Sequence, residues 1–114
     1  METETALIVL SALSQATRLD TFRLLVRHAP DGLPAGEVAR GLGVPPNTLS
    51  SHLAVLARAG LVASQRHGTT LVYRADFDRL RELVGFLLRD CCGGRSEVCA
   101  PIVAELSSCL CETR

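Results

Sequence analysis

The chain has 114 residues, enough for one domain, and its formal net charge is zero because twelve basic residues balance twelve acidic ones. Hydrophobic residues make up 47% of the sequence and aromatic residues only 4%, so the core must be built from Leu, Val and Ala. No apolar run approaches the roughly 20 residues of a membrane-spanning helix, and the acidic N-terminus is not that of a secretory signal. We therefore expect a cytoplasmic protein without a membrane partner, whose thiols stay reduced.

Helical periodicity dominates the first half of the chain. It predicts helices over residues 5–14, 16–29, 34–41 and 46–59. In the fourth helix Leu49, Leu53 and Leu56 recur at i, i+4 and i+7, which gives one buried stripe. Gly60 follows as a stop signal at the C-terminal end.

The second half begins with a hairpin. Strands are predicted over 61–65 and 70–74, with residues 66–69 at the tip, because Val and Tyr favour strands and Gly68 favours a turn. A last strong helix over 77–90 follows, and its apolar stripe is wider than a small domain can cover from one side. A short helix over 101–108 completes the chain. A mainly α fold with a small β-hairpin (α+β), of the winged helix-turn-helix type, is therefore predicted.

The charge distribution points to a nucleic-acid partner although the net charge does not. From Val38 through Ala75 the sequence has no acidic residue but contains four arginines and two histidines. The free face of the fourth helix carries short polar side chains that fit a major groove, and the hairpin tip carries basic ones that suit phosphates. The predicted DNA-binding residues are Asn47, Thr48, Ser50, Ser51, His52, Arg58, Arg66 and His67.

All five cysteines lie within the 21 positions from 91 to 111. The adjacent pair Cys91-Cys92, the break at residues 93–94 and a third thiol at Cys99 can converge on one soft ion. An odd number of thiols in a reducing compartment does not suit a disulfide framework. The sequence therefore predicts a body at 1–90 and a cysteine-rich, ion-binding segment at 91–114, the segment to which the family resemblance below assigns the inducer.

Four motifs in the body resemble the ArsR/SmtB family of bacterial metal- and metalloid-responsive repressors. They are Ala16-Thr17-Arg18-Leu19, Thr48-Leu49-Ser50-Ser51-His52-Leu53, Leu56-Ala57-Arg58-Ala59-Gly60-Leu61-Val62 and Tyr73-Arg74. The resemblance covers residues 6 to about 90. It implies a homodimer that binds double-stranded operator DNA, leaves it when an inducer binds, and dimerises through its first and last helices. The interface residues it implies are Leu7, Leu10, Phe77, Leu80, Leu83, Val84 and Leu87.

The resemblance also bears on where an inducer binds. Residues 33–39, which carry cysteines in one arsenic-responsive type, contain none here. The carboxylates of a zinc-type site on the last helix are present, but no histidine follows His67, so Asp76 and Asp78 are expected to cap that helix instead. What remains is the vicinal pair that some arsenic-responsive members carry after this helix. The implied ligands are Cys91, Cys92 and Cys99, with Cys109 and Cys111 as further candidates.

Trivalent arsenic is the inducer that this resemblance implies, with antimonite or methylarsenite as related forms, and no organic cofactor is expected. Two alternatives stay open at the same thiols: a redox switch that joins Cys91 or Cys92 to Cys99, and a cadmium or lead sensor. An enzyme is not expected, because the sequence has no C-x-x-C motif and no glycine-rich phosphate loop. A protein-interaction module on the same fold would not need short polar residues on its fourth helix.

Overall fold

The computed structural model describes residues 1–89, 100–102 and 104–105. Its helices and strands in chain order are α1 (Thr3–Leu13), α2 (Ala16–Arg27), β1 (Leu33–Pro34), α3 (Ala35–Leu42), α4 (Pro46–Arg58), β2 (Val62–His67), β3 (Thr70–Ala75) and α5 (Phe77–Arg89). The strands form one antiparallel sheet in the order β1-β3-β2. The predicted class, mainly α with a small β-hairpin of the winged helix-turn-helix type, is confirmed.

The chain divides into two compact units, Met1–Leu83 and Val84–Arg114. The first contains α1 to α4, the sheet and the start of α5. In the second, the structure describes the end of α5 and residues 100–102 and 104–105, which are helical as predicted. The rest of the predicted helix at 101–108, and the domain boundary predicted between residues 90 and 91, lie outside the described residues.

The core of the first unit is aliphatic, as the composition requires. Its largest fully buried side chains are Val9, Thr21, Leu25, Val38, Leu49, Leu53, Leu56 and Leu61. Thr21 is polar, but its hydroxyl donates to the Thr17 carbonyl at 2.7 Å, so no buried hydrogen-bonding group is left unpaired there. In α2, Phe22 and Leu25 are buried, whereas Leu19, at helical spacing from both, is exposed.

The wing is the hairpin of β2 and β3. Its strands pair from Val62 opposite Ala75 to His67 opposite Thr70, so only two residues connect them. Gly68 has φ +66°, the left-handed conformation that such a short connection needs. Arg66 and His67 therefore belong to β2, which ends two residues later than predicted, and not to the loop.

The short strand β1 was not predicted. Leu33 pairs with Tyr73 and Pro34 with Val72, at the edge of β3 that β2 leaves free. Gly32, at φ +79°, precedes β1 and lies so close to β3 that a Cβ there would collide with the Tyr73 carbonyl. Pro34 is thus the N-cap residue of α3 and not its first helical residue.

Candidate DNA-binding surface and thiol segment

The helix pair α3–α4 is closed by a tight turn at Gly43. This glycine has φ +67°, and its N–H and that of Val44 bond back to the carbonyls of Arg40 and Ala39. α3 ends at Leu42, one residue later than predicted. α4 then begins with Pro46 at its first position, where a missing N–H has no consequence.

Three leucines fix the orientation of α4. Leu49, Leu53 and Leu56 are all buried, as predicted, and α4 packs against α1, α2 and α3. The opposite side of the helix is exposed, and we call its short polar side chains the α4 face: Asn47, Thr48, Ser50 and Ser51. Asn47 accepts a bond from the Thr48 N–H at 3.2 Å through Oδ1, which leaves its amide nitrogen free to donate. The α4 face therefore presents hydrogen-bonding groups that reach base edges.

His52, also predicted to bind DNA, has different surroundings. It is half-buried, and its Nδ1 lies 3.5 Å from an η-nitrogen of Arg18 on α2. Arg18 was named from the sequence only as part of a motif and was given no role of its own. The one nearby feature that could have indicated a structural role is Gln15, the N-cap residue of α2, three residues before it. The Gln15 side chain accepts a hydrogen bond from the Arg18 N–H at 2.9 Å.

The basic groups around the α4 face are exposed and free to meet phosphates. Arg58 ends α4, and Arg66 and His67 lie on β2 of the wing, all three with exposed side chains. The ion pairs found in the described chain are both within α5, Arg79–Glu82 and Arg81–Asp78, so none of them neutralises these groups. Together with the absence of acidic residues between 38 and 75, this arrangement is suited to a polyanion.

The residues predicted at a dimer interface fall into two groups. Leu7 and Leu10 on α1 are exposed, as is the neighbouring Ile8, which is not among the predicted residues; Leu7 and Ile8 have 59% and 56% of their surface accessible. On α5, Phe77 and Leu87 are exposed, and Leu80 and Val84 are half-buried. Leu83 is only 4% exposed in the single chain.

The carboxylates at the start of α5 act locally. Asp76 accepts from the Asp78 N–H at 3.0 Å, as an N-cap residue does, and Asp78 pairs with Arg81 at 3.1 Å. Glu82 pairs with Arg79 at 3.4 Å. In the part of the chain that the structure describes, no three His, Cys, Asp or Glu side chains come together as a metal site would require.

The thiol prediction lies outside the described residues, since Cys91, Cys92, Cys99, Cys109 and Cys111 all fall there. None of the described helices is both long and apolar enough to span a membrane.

Comparisons with known proteins agree with this geometry. The model of the helix-turn-helix domain family matches residues 13–65. The transcriptional regulator KmtR of Mycobacterium tuberculosis is 37% identical over 76 residues, which are 67% of this chain and 56% of KmtR. The chain thus spans little more than half the length of this curated relative.

Two solved structures extend the similarity to the fold. The homodimeric winged helix-turn-helix DNA-binding domain of a possible ArsR-family regulator from Mycobacterium bovis is 27% identical, with a TM-score of 0.63, and the match covers 75% of this chain and 77% of that one. An ArsR-like regulator from Rhodococcus is 26% identical, with a TM-score of 0.64, over 96% of this chain and 90% of that one. The matched domain and the fold are thus those of helix-turn-helix transcriptional regulators, which are not enzymes, and the two structural relatives are described as a possible ArsR-family regulator and an ArsR-like regulator.

Proposed function

We propose that this protein is a dimeric ArsR-type repressor that binds operator DNA and releases it when trivalent arsenic binds its C-terminal thiolates. The observation that carries the DNA-binding part is the α4 face. Three buried leucines hold this face outward, beside a wing whose exposed Arg66 and His67 have no acidic neighbour in sequence. Bases are read by Asn47 and the hydroxyls of α4, and phosphates are bound by the cations around them.

Dimerisation is part of this proposal. A monomer leaves Leu7 and Ile8 of α1 more than half exposed, a surface that a second copy would cover. Two-fold symmetry then presents two α4 faces to successive major grooves, about 34 Å apart along the duplex. The operator should therefore be a near-palindrome with half-sites one helical turn apart.

The inducer proposal rests on the sequence of the thiol segment. Trivalent arsenic and antimony are soft and choose thiolates, and three sulfurs satisfy such an ion. Cys91 and Cys92 supply two of them and Cys99 the third, with Cys109 and Cys111 as further candidates. Each thiol loses its proton on binding, so the affinity for arsenite should rise with pH. A redox switch or a cadmium or lead sensor at the same thiols is the alternative.

Release follows from linkage. If the ion and the operator favour different conformations, each weakens the binding of the other by the same free energy. A coupling of about 1–3 kcal/mol corresponds to roughly 5- to 150-fold weaker operator binding in the presence of the ion.

The test is a fluorescence-anisotropy titration of the protein with duplex DNA from upstream of its own gene, with and without arsenite. Cys91→Ser and Cys92→Ser should bind this DNA as the wild type does but fail to release it when arsenite is added. Thr48→Ala and Ser51→Ala are the matched variants for the DNA-binding part of the proposal. Each should weaken operator binding, while arsenite should still release the DNA that remains bound. Loss of a base contact corresponds to about 1–3 kcal/mol.

The outcomes separate the parts of the proposal. If both cysteine variants release DNA with arsenite as the wild type does, the assigned ligands are wrong. Release by cadmium, lead or an oxidant but not by arsenite would select the alternative inducers. If the wild type binds its upstream DNA no more tightly than unrelated duplex, the repressor function is refuted. The hypothesis of a protein-interaction module on the same fold would then be favoured.

A further inference from the structure

We propose that Arg18 is a positioning residue that fixes the rotation of α4 through His52, so that His52 supports the α4 face at its border and does not read a base. The functional half of this inference rests on the proposed DNA binding. The structural half concerns only how three helices are joined, and it can be tested without DNA.

Arg18 is held in place by hydrogen bonds from its backbone N–H and from its guanidinium group. Its backbone N–H donates to the Gln15 side chain at 2.9 Å, which caps α2. Its Nε donates to the Ala12 carbonyl at 2.7 Å, and one terminal nitrogen lies 3.4 Å from the Ser11 carbonyl. α1 has no basic residue in its own last turn, so the guanidinium of Arg18 supplies the cation that favours a helix C-terminus.

The remaining terminal nitrogen of Arg18 meets α4. It lies 3.5 Å from Nδ1 of His52, a long hydrogen bond, but one whose donor is fixed by the short bond to Ala12. As a hydrogen bond this contact has Nδ1 as its acceptor, because an arginine nitrogen can only donate, and the neutral ring then carries its proton on Nε2. One side chain thus joins the end of α1, the start of α2 and the middle of α4.

The position of His52 explains why this contact matters for recognition. It follows Ser51 directly and lies one turn after Thr48, so the three side chains rotate together about the α4 axis. The buried leucines hold α4 against the core, but apolar contacts are non-directional. A hydrogen bond on the border of the α4 face is directional, and it adds the constraint that aims Thr48 and Ser51 at the groove.

Two isosteres of histidine test the role. Asparagine places its Oδ1 where Nδ1 of His52 lies and keeps the acceptor for Arg18, whereas glutamine reaches toward the Nε2 position. We expect His52→Asn to bind operator within about threefold of the wild type, and His52→Gln to bind about tenfold more weakly, with unchanged affinity for unrelated duplex. Affinities are measured well below the unfolding temperature of each variant, so that stability does not enter.

The tautomer of His52 gives a readout that needs no DNA. Nitrogen-15 NMR of the ring in alkaline buffer, where imidazoles are neutral, should show the proton on Nε2 in the wild type. In Arg18→Lys that preference should fall, because a single ammonium cannot serve both Ala12 and His52. Arg18→Lys should also lose operator affinity while its helix content in circular dichroism stays that of the wild type.

The opposite results overturn the inference. A proton on Nδ1 in the wild type would rule out the hydrogen bond from Arg18 to His52. A tautomer preference that is the same in Arg18→Lys as in the wild type would also rule it out. Retained affinity in His52→Gln with loss in His52→Asn would show that Nε2 touches DNA, loss in both would show a direct imidazole contact, and loss in neither would show that His52 is dispensable. If the wild type itself binds no specific DNA, the proposed function fails, and the NMR result still decides whether Arg18 holds His52.

Discussion

At the scale of single residues, Gly60, which follows the C-cap residue of α4, is constrained by both its backbone conformation and a neighbouring side chain. Its φ of +79° ends the helix, and the N–H groups of Gly60 and Leu61 bond back to the carbonyls of Ala57 and Leu56. The guanidinium of Arg79, from the first turn of α5, lies against it, so that a Cβ on Gly60 would be 2.6 Å from Nε. Gly60 therefore ends α4 and is also in contact with a side chain of α5.

Gly60→Ala should destabilise the protein, because a left-handed alanine costs about 1–2 kcal/mol and Arg79 must also move. Urea denaturation followed by circular dichroism measures the loss. Gly36→Ala is the control, since Gly36 lies in α3 with nothing within 4 Å of an added Cβ, and it should be neutral or stabilise by up to about 1 kcal/mol. Equal stability of the two variants would mean that neither the backbone conformation nor Arg79 constrains Gly60.

At the scale of elements, local periodicity predicted the helices and strands that are long enough to show a repeating pattern of apolar residues. α4, its stripe of Leu49, Leu53 and Leu56 and the hairpin were all predicted from patterns within about a dozen residues. β1 was not, because a two-residue strand has no pattern of its own and exists only where β3 offers a free edge. The end of α3 shifted by one residue, because Gly41 and Gly43 are both residues at which a helix can stop.

In the candidate site, too, local spacing predicted some features, and contacts between distant parts of the chain could not be predicted. Exposure of the α4 face followed from burial of the opposite stripe, so four of its side chains were found from the sequence. His52 was grouped with them because helical spacing alone puts it near Thr48. Its partner Arg18 is 34 positions away in the chain, and a contact of that separation leaves no signal in a single sequence. Ile8 was missed for a related reason: α1 is apolar on both sides, and only packing shows which side is left over.

The exposed side of α1 gives a prediction at this scale. Leu7→Asp should make the protein monomeric at concentrations where the wild type is dimeric, because it places a charge within an apolar contact. Light scattering after gel filtration measures the mass, and operator affinity should fall by about a hundredfold once two half-sites are no longer bridged. Leu7→Met keeps the volume and should stay dimeric. A dimer of Leu7→Asp would place the interface elsewhere.

At the scale of the whole molecule, neutrality and DNA binding are compatible because charge is sorted along the chain. The twelve acidic residues all lie before residue 38 or after residue 75, while the α4 face and the wing lie between. At physiological salt the Debye length is about 8 Å, so a phosphate at the wing interacts mainly with the charges nearest to it. The local excess of arginine therefore decides the interaction, and the net charge does not.

Binding should consequently be strongly salt-dependent. The logarithm of the association constant should fall linearly with the logarithm of salt concentration, with a slope of about −0.9 per phosphate contacted. Arg66→Gln should reduce the steepness by about 1 for each wing and weaken specific and unrelated duplex alike, because a phosphate contact carries no sequence information. Arg81→Gln is the control, since Arg81 is paired with Asp78 on α5, and it should leave the slope unchanged. If Arg66→Gln keeps the wild-type slope but loses discrimination between sequences, the wing reads bases, and the electrostatic role derived from its exposure is wrong.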